Sequence, residues 1–415
     1  MQEREISLLM HYLDDVFPLQ FPFHETAHLG KREWLLAILS STKAVYYATL
    51  SLSLLHKEAC LENGEMERGL IWRDEKTRYY ILALRESQQL LQGLRSNNGK
   101  DSLKGHINAL ANTVQLISFE SSCLSKGDWQ IHLRAGTSLI PALIESWEMV
   151  MRSHNPASSV WSRLDASNFS TIPNGDTLSF EYVGALKFFT NMLVVFGVLS
   201  CVSVGPGSPF MDYKYLMDHH AGLIQIDQVI GCKNWVLSTI LEVGILDQWK
   251  RDEQTNHRLS MKELTRRATS IEIMLEGGIK ELSGSGVVDI VTSIYATSTL
   301  TYLHSVVSGL NPYLTEIQES VSRTISLLKQ LPDSRAVSSL VWPLCITGCM
   351  AAPDREGFFT GLTHSSGVTQ NTLRNGWYVF EIIENAWKIR DHMSKQPSVT
   401  WEDIINGHSP PTLLI

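Results

Sequence analysis

Phe188-Phe-Thr-Asn-Met-Leu-Val-Val-Phe-Gly-Val-Leu-Ser-Cys-Val-Ser-Val204 is the most apolar stretch of the sequence. Its 17 residues are marginal for crossing a bilayer, and Thr190, Asn191, Gly197, Ser200 and Ser203 interrupt it, so it reads as a helix buried in a protein core. Outward from it, apolar residues recur at spacings of three and four, the period of one helical face. Between Trp34 and His56 the pattern runs through Leu35, Leu36, Ile38, Leu39, Val45, Tyr46, Leu50, Leu52, Leu54 and Leu55; residues 77–94 repeat it through Tyr80, Leu82, Leu84, Leu90 and Leu91. Residues 101–119 continue it, with Asp101 placed as an N-cap. Further helices are expected over 128–151, 180–204, 214–228, 233–249, 260–281, 287–307, 312–330, 335–350 and 373–395. Strict alternation bounded by hairpin dipeptides is almost absent. The expectation is an all-α protein: one large multi-helix array over residues 1–415. Long inter-helix loops are expected near 153–178 and 205–212, and a third break where Gly277-Gly278 and Ser283-Gly-Ser-Gly286 stand.

Charge and cysteine usage narrow the function classes. The chain has 35 Lys+Arg against 43 Asp+Glu, a net charge of −8, and no dense basic run; Lys31-Arg32 and Arg266-Arg267 are the strongest pairs and read as solvated surface. A protein that grips DNA by neutralising phosphates needs a clustered basic footprint, so direct DNA contact is not expected. Six scattered cysteines (Cys60, Cys123, Cys201, Cys232, Cys345, Cys349), most beside apolar neighbours, fit reduced and largely buried thiols. The start, Met1-Gln-Glu-Arg-Glu5, is too acidic for a secretory signal, and the protein is expected to be soluble and intracellular, without a membrane span.

No catalytic, cofactor-binding or metal-binding set assembles from spacing. Two thiolates two residues apart can share one tetrahedral zinc, but no Cys-x-x-Cys occurs; Cys345 and Cys349, one helical turn apart, lack a second pair and read as core. The doublet His219-His220 points about 100° apart on a helix, which suits one metal poorly. Asp14-Asp15 has the look of an acidic magnesium motif, yet Phe17 and Pro18 follow where further carboxylates are needed. Nucleophile elbows and glycine-rich phosphate loops are missing.

What stands out instead is a series of aromatic and proline clusters. Pro18 and Pro22 are expected to stop the first helix, with Phe17, Phe21 and Phe23 as anchors. Trp342-Pro343 is expected to start or kink an apolar helix, and Gly348 to admit a close neighbour. In chain order the clusters are Tyr12-Leu-Asp-Asp-Val-Phe-Pro-Leu-Gln-Phe-Pro22, Gly30-Lys-Arg-Glu-Trp-Leu-Leu36, Ala48-Thr-Leu-Ser-Leu-Ser-Leu-Leu-His56, Tyr79-Tyr-Ile-Leu-Ala-Leu-Arg-Glu86, Trp129-Gln-Ile-His-Leu-Arg-Ala135, Leu340-Val-Trp-Pro-Leu-Cys-Ile-Thr-Gly-Cys-Met-Ala351 and Trp401-Glu-Asp403. This ordered set, spanning roughly residues 8 to 405, resembles the fungal-specific transcription factor domain that follows a binuclear zinc cluster in many fungal regulators, the branch that includes acriflavine-sensitivity-control proteins.

The resemblance implies a nuclear regulator of secondary-metabolite genes of the toxin-cluster kind, trichothecene clusters among them. The six cysteines that would build the family's DNA reader are not in this sequence, so the implied partners are proteins, namely DNA-bound regulators or co-regulators, together with a small-molecule effector held between helices. The alternative is a helical-fold enzyme or scaffold of a secondary-metabolite pathway, which would place His132, Arg134 or Asp14 in a pocket. A third reading makes His132 and Arg134 a buried polar pair bracing a helix against the Asp14-Asp15 turn.

Overall fold

The computed structural model describes residues 3–24, 33–61, 66–96, 102–123, 128–153, 180–204, 210–220, 222–284, 286–331, 334–365, 375–392, 400–406 and 413–415. Among these the regular structure is helical and no strand occurs, as the periodicity implies. The Asp101 cap, the basic pair Lys31-Arg32, and the loop residues 154–179 and 205–209 lie outside the described residues. Residues 210–212, expected in a loop, open a helix.

The N-terminal half is built from α1 (Glu3–His11), α2 (Phe17–Gln20), α3 (Glu33–Leu39), α4 (Lys43–Ala59), α5 (Met66–Ser96), α6 (Ser102–Cys123), α7 (Trp129–Thr137) and α8 (Ile140–Ser153). A π-helical turn, Tyr12–Val16, joins α1 to α2, and the Phe17 N–H reaches back to the Tyr12 carbonyl. Pro18 therefore does not stop the first helix. The wider turn absorbs the missing N–H, and the chain leaves helical geometry only at Phe21 (φ −131°, ψ 60°), immediately before Pro22. The pattern over residues 34–56 is likewise two helices, bent by 108° between α3 and α4. Local hydroxyl chemistry makes the break: Ser40 and Ser41 donate to the Leu36 and Ile38 carbonyls at 2.7 Å, and Thr42 caps α4 by accepting from the Val45 N–H.

Next come α9 (Phe180–Val204), α10 (Phe210–His219), α11 (Asp227–Ile230), α12 (Asn234–Thr255), α13 (Met261–Lys280), α14 (Val287–Ser308) and α15 (Thr315–Leu328). The chain finishes with α16 (Val341–Cys349), α17 (Pro353–Ser365), α18 (Asn375–His392) and α19 (Trp401–Asn406). Gly277-Gly278 is not a break. It lies inside α13, where a Cβ on Gly278 would come within 2.6 Å of the Trp235 ring, so the glycine lets α12 and α13 touch. The break falls later, at Gly284 (φ +73°). Ser260 caps α13 by accepting from Glu263 N–H, and Glu263 is held in turn by Arg266 and Arg267 at 2.7–2.8 Å, which accounts for that basic pair. Pro343 sits in the first turn of α16, a helix start, and a Cβ on Gly348 would meet Ile383 of α18 at 2.5 Å. Trp387 Nε1 donates to the Gly348 carbonyl at 2.8 Å across the same contact.

The segment Glu181–Ser203 of α9 is long and apolar enough to cross a membrane, but 94% of its apolar window is buried inside the protein, the mark of a core helix. It packs against α3, α6, α7, α10, α11, α12 and α19, and the main buried cluster runs continuously from Leu8 to Leu414. Close approach on α9 depends on Gly197, where a Cβ would lie 2.1 Å from the Tyr213 ring. Buried hydroxyls tie the C-terminal half together: Thr324 donates to Thr297 at 2.8 Å, Thr301 meets Ser320 at 2.8 Å, and Ser298 meets Thr347 at 3.0 Å.

Two substitutions separate core from surface. Gly197→Ala is expected to cost about 1–3 kcal/mol, because Tyr213 must move within a filled core. Arg134→Ala, at an exposed position, is expected to stay within about 0.5 kcal/mol of the parent. Urea denaturation followed by circular dichroism reads both.

Candidate functional site

The π turn and Pro22 deliver Phe17, Phe21, Phe23 and His24 as a strap laid across α9 toward the segment 222–233. That segment is pinned by two asparagines. Asn191 of α9 donates to the Leu223 carbonyl at 2.9 Å and accepts from the Gln225 N–H at 2.8 Å. Asn234 of α12 donates to the Ile224 carbonyl at 2.7 Å and accepts from the Ile226 N–H at 2.9 Å. Gly231 ends α11 with φ +72°, and Phe23 lies 3.0 Å from where its Cβ would be, so both backbone and contact require glycine there. The pinned segment presents the Gln228 carbonyl to His24 Nδ1 at 2.7 Å.

Around His24 the fold gathers aromatic rings from three directions. Phe188 of α9 lies at 4.9 Å between centroids, Phe17 at 5.8 Å and Trp34 of α3 at 6.1 Å, each edge-to-face. Phe21 and Phe189 extend the cluster through Phe188, at 5.0 and 5.1 Å. Burial pushes the His24 imidazole below its usual pKa, against the opposing pull of the Gln228 carbonyl, so it is held neutral. His24 Nε2 and Trp34 Nε1 are buried without a hydrogen-bond partner. Among the described residues this packed aromatic cluster, with two buried polar atoms that lack a protein partner, is the candidate site.

The residues weighed from sequence are placed elsewhere. Arg134 is exposed, as are Asp14 and Asp15. The charge facing half-buried His132 is Asp128 on the preceding turn, so the bracing pair does not form. Asp15 instead accepts from His11 Nδ1 at 2.7 Å; His11 Nε2 lies 3.0 Å from His56 Nδ1, and His56 Nε2 lies 3.7 Å from the Cys60 sulfur. This chain of hydrogen-bonding groups went unread in the sequence, although both ends are four residues apart on helices (His11/Asp15, His56/Cys60) and so share a face. His219 stacks on exposed Tyr215 at 4.3 Å at the end of α10. Cys345 and Cys349 are buried within α16. No group of three or more His, Cys, Asp or Glu among the described residues is arranged to hold a metal ion. Sequence reading also passed over His24 and Trp34 as a pair. The available signal was an aromatic–histidine run, Phe17 to His24, beside a tryptophan at the start of the next helix.

Comparison with known proteins covers the whole chain. The model of the fungal-specific transcription factor domain matches residues 7–415. A trichothecene biosynthesis transcription regulator of Trichoderma arundinaceum is 62% identical over 416 residues, covering 100% of this chain and 98% of that protein. Its counterpart in Fusarium sporotrichioides is 52% identical over 414 residues, again 100% of this chain and 98% of the relative. The ustiloxin B cluster transcription factor of Aspergillus flavus is 26% identical over 415 residues, covering 94% of this chain and 68% of its own length. No solved structure matches.

Buried neutral histidines make stability depend on pH with a definite sign. Burial lowers His24, His132 and His304, and pushes His11 down to about 4 with help from Lys57 and His56. The unfolded chain therefore takes up protons first, from about pH 6.5 downward, and stability is lost as pH falls from there toward 4. Denaturation midpoints between pH 7.5 and 4.5 are expected to fall, and His24→Gln to flatten part of that slope.

Proposed function

Because the chain belongs to the fungal-specific transcription factor domain family, we propose that it regulates transcription of a trichothecene biosynthetic gene set. The observation that carries this reading is full-length identity of 62% and 52% to two regulators named for that pathway. The fold serves such a role: a helical body with one continuous core can present surfaces to other proteins and hold an effector between helices. With a net charge of −8 the protein reaches promoters through DNA-bound regulators or co-regulators, and it works in the nucleus. Effector binding would favour one of two conformations and so tune regulation, provided it prefers one of them.

Deletion of the gene is expected to change pathway transcripts, and reintroduction of the full chain to restore them. Unchanged transcripts would overturn the reading. A tagged chain is expected in the nucleus and at pathway promoters after crosslinking, with the promoter signal lost when the DNA-bound partner is removed.

A further inference from the structure

We draw no further inference here: the strongest candidate, the side-chain cluster of Asp15, His11, His56 and Cys60 where the end of α1 meets α4, carries none because burial and the Asp15 charge push the Cys60 thiol above its usual pKa, which leaves it a poor nucleophile, and no three of these described groups are arranged to hold a metal ion.

Discussion

A helix that is apolar on every side must be covered on every side, and α9 imposes that demand on the whole molecule. Its Phe188, Phe189, Leu193, Phe196 and Leu199 are all buried, and no single neighbour can cover them. The N-terminal half supplies α3, α6 and α7, and the C-terminal half supplies α10, α11, α12 and α19. Removing contact on either flank would expose a face of the central helix, so the two halves share one core. Gly136 and Gly197 mark the closest approaches. A Cβ at Gly136 would lie 2.7 Å from Leu193, and one at Gly197 would strike Tyr213.

Burying that much backbone and side chain leaves polar groups needing partners, and the fold answers by two routes. Along α14 the threonines and serines bond to their own helix one turn back, as Thr297 does to Ser293 and Thr299 to Tyr295, at 2.8 and 2.7 Å. Between helices, asparagine does the work that a loop cannot do for itself. Asn191 and Asn234 satisfy the backbone of the segment 222–233 from opposite sides, which fixes the Gln228 carbonyl in front of His24. The candidate site is thus a consequence of how the central helix is covered. The strap that covers α9 carries Phe17, Phe21 and His24, and the segment that holds His24 is itself anchored on α9. His24 Nε2 and Trp34 Nε1 are the two atoms there that this scheme leaves without a protein partner.

The same division explains what could be read in advance. Helical periodicity along α4, α5, α6 and α12 to α15 is local, and the family resemblance rested on ordered clusters that survive in one dimension; both were legible. Breaks made by a few hydroxyls were not, because Ser40, Ser41 and Thr42 differ from ordinary helix-surface residues only in which carbonyl they bond. Pro18 misled because the cost of a missing N–H depends on whether a π turn precedes it. Arg134 misled because a charge beside an apolar run does not reveal which way its helix is rolled, and α7 turns it to solvent.

An all-helical chain, a buried apolar helix, cysteines without metal-binding spacing and membership of a family of transcription regulators are legible in one dimension. Each follows from residue type and spacing along one chain. Tertiary structure alone decided that His24, Trp34 and Phe188 share a site and that His24 keeps its proton on Nδ1. His24 and Gln228 stand 204 positions apart, and a hydrogen bond formed across that separation is a product of packing, which no local pattern encodes.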